Sequence, residues 1–234
     1  MATPVSLAIF FAVPHEAALF KKHLKIKWKK GGGGLFWAET LFRQQLILVA
    51  CLGMGKEAVG KNLTFLLGCF TFSQAILAGY AGALDPKLKK GDVVVSDKRH
   101  LNLLPDLRLG KIISVDEVVA TIEEKCALFE KTSASVCDME YETVKTICQQ
   151  RNIGVLSIRA ISDTASEDLP MSALASAFDL QQQNSTPLKL CFHLIKQPKK
   201  IFPFFRFVKN LPQVRKQLTQ ALYLILANLF AKTN

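Results

Sequence analysis

Short, fully apolar runs alternate along the chain with longer stretches whose apolar residues recur every three or four positions, a pattern that predicts buried strands separated by amphipathic helices. Strand-like runs lie at Val5 to Val13, Leu46 to Leu52, Ala75 to Ala78, Asp92 to Ser96, Lys111 to Val115, Ser135 to Asp138 and Val155 to Ala160. Helical spacing covers Glu16 to about Leu24, Glu57 to Leu67, Val118 to Lys131 and Tyr141 to Asn152. Strands apolar on both faces belong inside a sheet covered by helices, so the expected class is α/β: a single domain of three layers, α/β/α, around a central mixed, twisted sheet. Gly31 to Gly34 reads as a flexible turn between the first helix and the next pair of strands.

The pattern changes after Asp168. Gln181 to Pro187 is a polar loop, the remainder is basic and aromatic, and Pro212 to Phe230 is an amphipathic helix with Leu218, Leu222, Ile225, Leu226 and Leu229 on one face. Core packing is the favoured reading of that stripe, with a membrane face as the alternative. The expected organisation is an α/β core at 1–168 and an extension at 169–234 packed on the same domain. With 234 residues, half of them hydrophobic, the chain has material for one substantial core. Val5 to Val13 is too short to span a bilayer and has no positive residue before it, so it is expected to be a first strand and not a targeting segment.

The net charge of +11 is large, and it is concentrated in two places: Lys21 to Lys30, and Lys196 to Lys200 continuing through Arg206, Lys209, Arg215 and Lys216. A solvated face and an anionic membrane surface both suit such clusters. Between a membrane and nucleic acid, the aromatics interleaved with cations from Ile201 to Lys209 favour an interfacial segment, since no nucleic-acid-binding signature accompanies them; a plain solvated face stays equally open. Six cysteines without metal-ligand spacing point to a reducing, cytoplasmic compartment and to no metal site.

Carboxylates at the ends of two buried runs supply the candidate chemistry. Glu140 follows Val136 to Met139, and Asp163 follows Val155 to Ser162; burying either without a partner would cost several kcal/mol, so a ligand, a cation or a hydrogen-bond network is expected at each. Taken singly, Asp163 equally suits a helix N-cap; the alternative for Glu140 is an ion pair with Arg159, and for Glu16 a solvated first-turn position. Gly53-Met54-Gly55-Lys56 and Gly79 to Leu84 read as turns after strands, where glycine lets backbone approach a ligand. His15 and His100 have no evident partners and read as surface residues.

In their order along the chain these segments resemble the nucleoside phosphorylase and nucleosidase superfamily, in particular 5′-methylthioadenosine/S-adenosylhomocysteine nucleosidases. Ala12 to Glu16 sits where that family carries the glutamate that positions the attacking water. Gly53 to Lys56 is similar to its G-I-G-K turn, Gly79 to Leu84 with Gly91 to Val94 to its G-S-A-G-G-L…G-D-V-V run, Cys137 to Glu140 to its V-E-M-E segment, and Arg159 to Asp163 reproduces R-A-I-S-D. The resemblance implies a catalytic set of Asp163, Glu16 and Ser162. Asp163 would protonate or hydrogen-bond purine N7, with Ser162 orienting it, and burial would favour the neutral acid this needs. It further implies substrate contacts from Met139, Glu140, Gly53, Gly79, Tyr80, Ala81, Gly82, Val118, Val119 and Asp138. Glu140 would bind the ribose hydroxyls and Met139 would pack under the sugar. No cofactor is implied, phosphate being a potential co-substrate held by Lys56, Arg99 or backbone amides, and homo-oligomers are the family habit.

Two departures stand out. Tyr80 replaces a small serine, and the stretch from Ser96 to Lys111 is shorter than in the nucleosidases. The chain is also similar to the hopanoid-associated phosphorylases in the spacing from Glu124-Lys125 to Asp138-Met139-Glu140, in Leu169-Pro170 after Asp163, and in Pro198 to Pro203. That likeness implies an adenosine derivative with a bulky apolar 5′ group, adenosylhopane-like, reached by peripheral contact with the inner face of an anionic membrane. A methylthioadenosine or adenosylhomocysteine nucleosidase and a non-catalytic nucleoside-binding protein are the alternatives.

Overall fold

In the computed structural model, residues 2–99, 107–169, 178–179, 184–185 and 201–231 are described, with backbone alone at 178–179, 184–185 and 201–207. The elements run β1 (Thr3–Pro4), β2 (Leu7–Phe11), α1 (Pro14–His23), β3 (Lys29–Lys30), β4 (Phe36–Phe42), β5 (Gln45–Cys51), α2 (Lys56–Cys69), β6 (Phe70–Thr71), β7 (Gln74–Ala83), β8 (Val93–Val95), β9 (Leu107–Leu109), β10 (Ile112–Ser114), α3 (Ile122–Thr132), β11 (Val136–Asp138), α4 (Tyr141–Gln149), β12 (Gly154–Asp163), β13 (Phe178–Asp179), β14 (Asn184–Ser185) and α5 (Ile201–Ala231). A ten-stranded mixed sheet in the order β3-β4-β5-β2-β7-β12-β8-β9 forms the middle layer, with β11 on the far end of β7 and β10 on β11.

Alternation along the central strands builds the three layers. Leu7, Ile9 and Phe11 of β2 and Ile47, Val49 and Cys51 of β5 face a core shared with Phe20 of α1 and with Leu218, Leu222, Ile225 and Leu226 of α5. Ala8, Phe10, Leu48 and Ala50 face the other side, against Leu63 and Leu66 of α2 and Val144 of α4. Every residue of β2 is buried, as the apolar run required. The stripe on α5 is core: Leu218, Leu222, Ile225 and Leu226 are wholly buried, and Leu229 packs at its edge.

Some elements differ from expectation for identifiable reasons. Gly79 to Ala83 is not a turn but the second half of β7, held by β12 in parallel register along one side and, beyond the end of β2, by antiparallel pairing of Gly82 and Ala83 with Cys137 and Val136. Likewise β12 runs through Asp163. The third helix starts at Ile122 and not at Val118, because Thr121 and Glu124 cap it reciprocally: Glu124 N donates to Thr121 Oγ1 and Thr121 N to a Glu124 carboxylate oxygen. The last helix extends back to Ile201, through Pro212, whose ring lies on an exposed position. The loop at Gln181 to Pro187, the cluster Lys196 to Lys200, Pro170, Cys191 and His100 fall outside the described residues, apart from the two-residue strand β14 and the backbone from Ile201.

Candidate active site

Four parallel strands, β2, β5, β7 and β12, end at the same edge of the layers, and together with β11, antiparallel to β7, they supply one polar cluster. After β2 the chain turns into α1, where Glu16 is the third helical residue. Its Oε2 accepts from the amides of Ala12 (3.0 Å) and Val13 (3.3 Å), closing the helix start, while Oε1 accepts from Tyr80 N on β7 at 2.8 Å. Glu16 is buried, so it is no solvated first-turn residue, and that burial pushes its carboxyl above the ordinary value against the pull of three amides and of Arg159.

Arg159 lies beside it on β12, in register with Gly79. A side chain at Gly79 would collide with Arg159 Nη1 and come within 2.9 Å of Glu16 Oε1, so glycine is what lets these two groups meet across the strand. Arg159 ion-pairs through Nη2 with Asp138, not with Glu140. Its Nε and Nη1 are buried and have no hydrogen-bond partner among the described residues. Two orphaned guanidinium donors cost about 1–3 kcal/mol each unless something accepts from them, which marks the place where a ligand belongs. The carboxylate of Asp138 is fully committed: besides Arg159 it accepts from Ser114 Oγ at 2.6 Å and from Tyr141 N, the first amide of α4. Asp138, expected as a substrate contact, here holds Arg159.

Glu140 stands just beyond, buried, with Oε1 accepting from Gly55 N at 3.3 Å. Gly53 and Gly55 both have left-handed backbone, φ 92° and 80°, so the turn after β5 needs glycines to aim that amide inward. Burial above all pushes the Glu140 carboxyl up to about 7, with Asp138 and Glu16 adding to the rise and Arg159 and the Gly55 amide opposing it. The cluster thus holds more acid than base, a setting that favours a cationic or proton-bearing ligand.

At the end of β12, Asp163 is placed by a β-bulge. Ile161 pairs with Ala81 and Asp163 with Gly82, leaving Ser162 as the extra residue. Ser162 Oγ lies 2.6 Å from Asp163 Oδ1 and 3.3 Å from Ala81 O. Asp163 is not an N-cap: its Oδ2 ion-pairs at 2.8 Å with Lys125 of α3. A Cβ on Gly82 would lie 3.1 Å from Asp163 Oδ2, so the second glycine of the run serves the second carboxylate as Gly79 serves the first.

The remaining expected residues scatter. Met139 is half-buried between Asp138 and Glu140. Val119 packs on Leu84 and Cys137, whereas Val118 is exposed. Lys56 reaches Asp116 at 2.5 Å across the surface, tying the glycine turn to the loop before α3. Arg99 cannot serve this cluster: it lines a hollow with Leu7, Gln74 and Gly154, the first residues of β2, β7 and β12, at the opposite end of the sheet. His15 has partners after all, Arg215 of α5 and the edge of the Tyr80 ring, and burial with the Arg215 charge lowers it to about 4. Tyr80 OH in turn accepts from Arg215 Nε at 3.4 Å. Arg159, Lys125 and Arg215 were not singled out as site residues. The signal for Lys125 was present in the apolar spacing of α3, which puts a lysine at its buried position.

This arrangement can be set beside known proteins. A family model described as the phosphorylase superfamily matches residues 6–103 and 99–188. A 5′-methylthioadenosine/S-adenosylhomocysteine nucleosidase of Staphylococcus aureus strain JH9 is 24% identical over 204 residues, covering 71% of this chain and 90% of the relative. One from Staphylococcus saprophyticus is 26% identical, covering 69% and 88%. Among solved structures, the nucleosidase of the same name from S. pneumoniae, bound to a transition-state inhibitor, superposes with a TM-score of 0.67 at 18% identity, covering 94% of this chain and 97% of that one. A futalosine hydrolase mutant of Helicobacter pylori strain 26695 gives 0.60 at 20% identity, covering 84% and 100%. With its sheet, its glycine-bearing strand and its acid-rich cluster matched by a family model over most of its length, the chain belongs to the phosphorylase superfamily.

Proposed function

We propose that this protein cleaves the N-glycosidic bond of an adenosine derivative and releases adenine. The observation that carries the reading is the meeting of Glu16 and the half-unpartnered Arg159 at Gly79, with Glu140 in electrostatic reach of both, three residues along β7 from Asp163 at Gly82. Breaking this bond builds positive charge on the sugar and negative charge on the purine. Glu140 would accept the ribose hydroxyls and its charge would favour the cationic sugar; Asp163, oriented by Ser162, would donate to purine N7 as the bond to C1′ breaks. Arg159 Nε and Nη1 would hold the oxygen of the incoming nucleophile, and Glu16 would take its proton. The nucleosidase relatives support hydrolysis by water; phosphate as nucleophile would use the same two guanidinium donors.

The 5′ substituent is a finer matter. The likeness to hopanoid-associated phosphorylases, the tyrosine in place of serine at 80 and the short stretch of sequence from Ser96 to Lys111 support a bulky apolar group, with the basic, aromatic segment 196–209 meeting an anionic membrane. The nucleosidase relatives favour a methylthio or homocysteinyl group. Among the described residues no helix is long and apolar enough to cross a membrane. Adenine release from nucleosides bearing methylthio, homocysteinyl and long apolar 5′ groups, with and without phosphate, tests reaction and preference together. No release from the whole panel would sink the reading.

A further inference from the structure

Lys125 is the one buried residue of α3, and its exposure is 0%. A methionine would fill that space without the several kcal/mol that desolvating an ammonium costs, so the charge needs its own reason. All three donors of Nζ are used: Asp163 Oδ2 at 2.8 Å, Thr164 O at 2.9 Å and Glu167 O at 2.6 Å. Two of these hold the turn after β12 against the start of α3, where Leu169 N donates to Ala120 O and Ile122 N to Asp168 Oδ1. The ammonium is therefore locked in place before any ligand arrives.

We propose that Lys125 is a positioning residue for departure of the purine, acting through Asp163. It occupies Oδ2 and so leaves Oδ1, beside Ser162, as the oxygen that addresses the ligand. Asp163 is ion-paired with Lys125 in the free protein; as the nucleoside binds it takes up a proton from solvent on Oδ1, with Oδ2 still accepting from Lys125. As the bond from C1′ to the purine nitrogen breaks, its electron pair goes to the purine and the proton passes from Oδ1 to N7. The carboxylate left behind has an ammonium already 2.8 Å away, so the negative charge develops where a fixed cation waits. Ser162 Oγ, with Ala81 O at 3.3 Å as a second acceptor, can turn its hydrogen away while Oδ1 carries the proton. The inference rests on the N-glycosidic reading above.

The test compares wild type, Lys125→Met, Asp163→Asn and the double variant on an adenine nucleoside and on the 4-nitrophenyl riboside with the same 5′ group, whose leaving group needs no proton. Lys125→Met should lose about 100-fold in kcat on the adenine nucleoside, the low end of a general-acid contribution, with KM little changed and the nitrophenyl substrate nearly spared. The double variant should match Asp163→Asn, because the lysine has nothing left to act through. Equal losses on both substrates, no loss on the adenine nucleoside, or a double variant about tenfold or more worse than Asp163→Asn would overturn the inference. If Lys125→Met does not fold, the double variant, in which neither buried charge remains, still decides it. A wild type that releases no adenine overturns the functional reading and this inference with it.

Discussion

Glu140 and Asp163 are both buried acids, yet their surroundings give them opposite tasks. Glu140 has one amide and a shared guanidinium among other acids and is pushed up to about 7. If its ionised form is the active one, kcat/KM rises with pH through about 7, and Glu140→Gln loses that limb together with most activity; a pH–rate profile checks both. Stability runs the other way. The folded value lies above the ordinary 4.5, so folding binds a proton between those limits, and the contribution of Glu140 is fullest below about 4.5 and is lost as pH rises through 7. The Tm of Glu140→Gln should therefore gain on wild type from pH 5 to pH 8, by the equivalent of up to about 3 kcal/mol. Asp163 carries its counter-charge with it. Asp163→Asn leaves Lys125 buried and unpaired and should cost about 3–5 kcal/mol in urea denaturation, much of it restored in the double variant with Lys125→Met.

Strand β7 is the element on which the site depends, because its glycines leave room on both sides. Gly79→Ala would drive a methyl group into Arg159 and Glu16, and overpacking of this kind costs about 1–3 kcal/mol. Its effect on adenine release should be far larger, about 100-fold or more, since small displacements of catalytic groups have that cost; a steady-state assay beside a thermal melt separates the two. The helix α5 shows the complementary case. Leu222 is wholly buried against the sheet, so Leu222→Ala should destabilise by about 2–5 kcal/mol, while binding to anionic vesicles, if it occurs, should be unaffected because that face is not free to meet lipid.

Across the whole molecule, the sequence determined what depends on local pattern. The apolar runs fixed β2, β5 and β12 as interior strands, the three-to-four spacing gave α2, α4 and the core-facing stripe of α5, and the order of short motifs pointed to Glu16, Glu140 and Asp163. The weakest predictions were where partners distant in sequence decide. Gly79 to Ala83 looked like a turn because glycines break strands locally; it is a strand because β12 and β11 supply pairing from more than fifty residues away. An ion pair with Arg159 was the alternative to ribose binding for Glu140, but β10 and β11 bring Ser114 and Asp138 together, and the guanidinium goes to Asp138. The bulge at Ser162, the ammonium of Lys125 on Asp163 and the contact of Arg215 with Tyr80 and His15 arise only when separate elements are packed. Hydrophobic periodicity records which side of an element is dry, a property each segment carries alone. Which charges meet in that dry space depends on strand register and on helix placement, and these are set by the sum of all the pairings, so the chemistry of the site emerges only in the folded molecule.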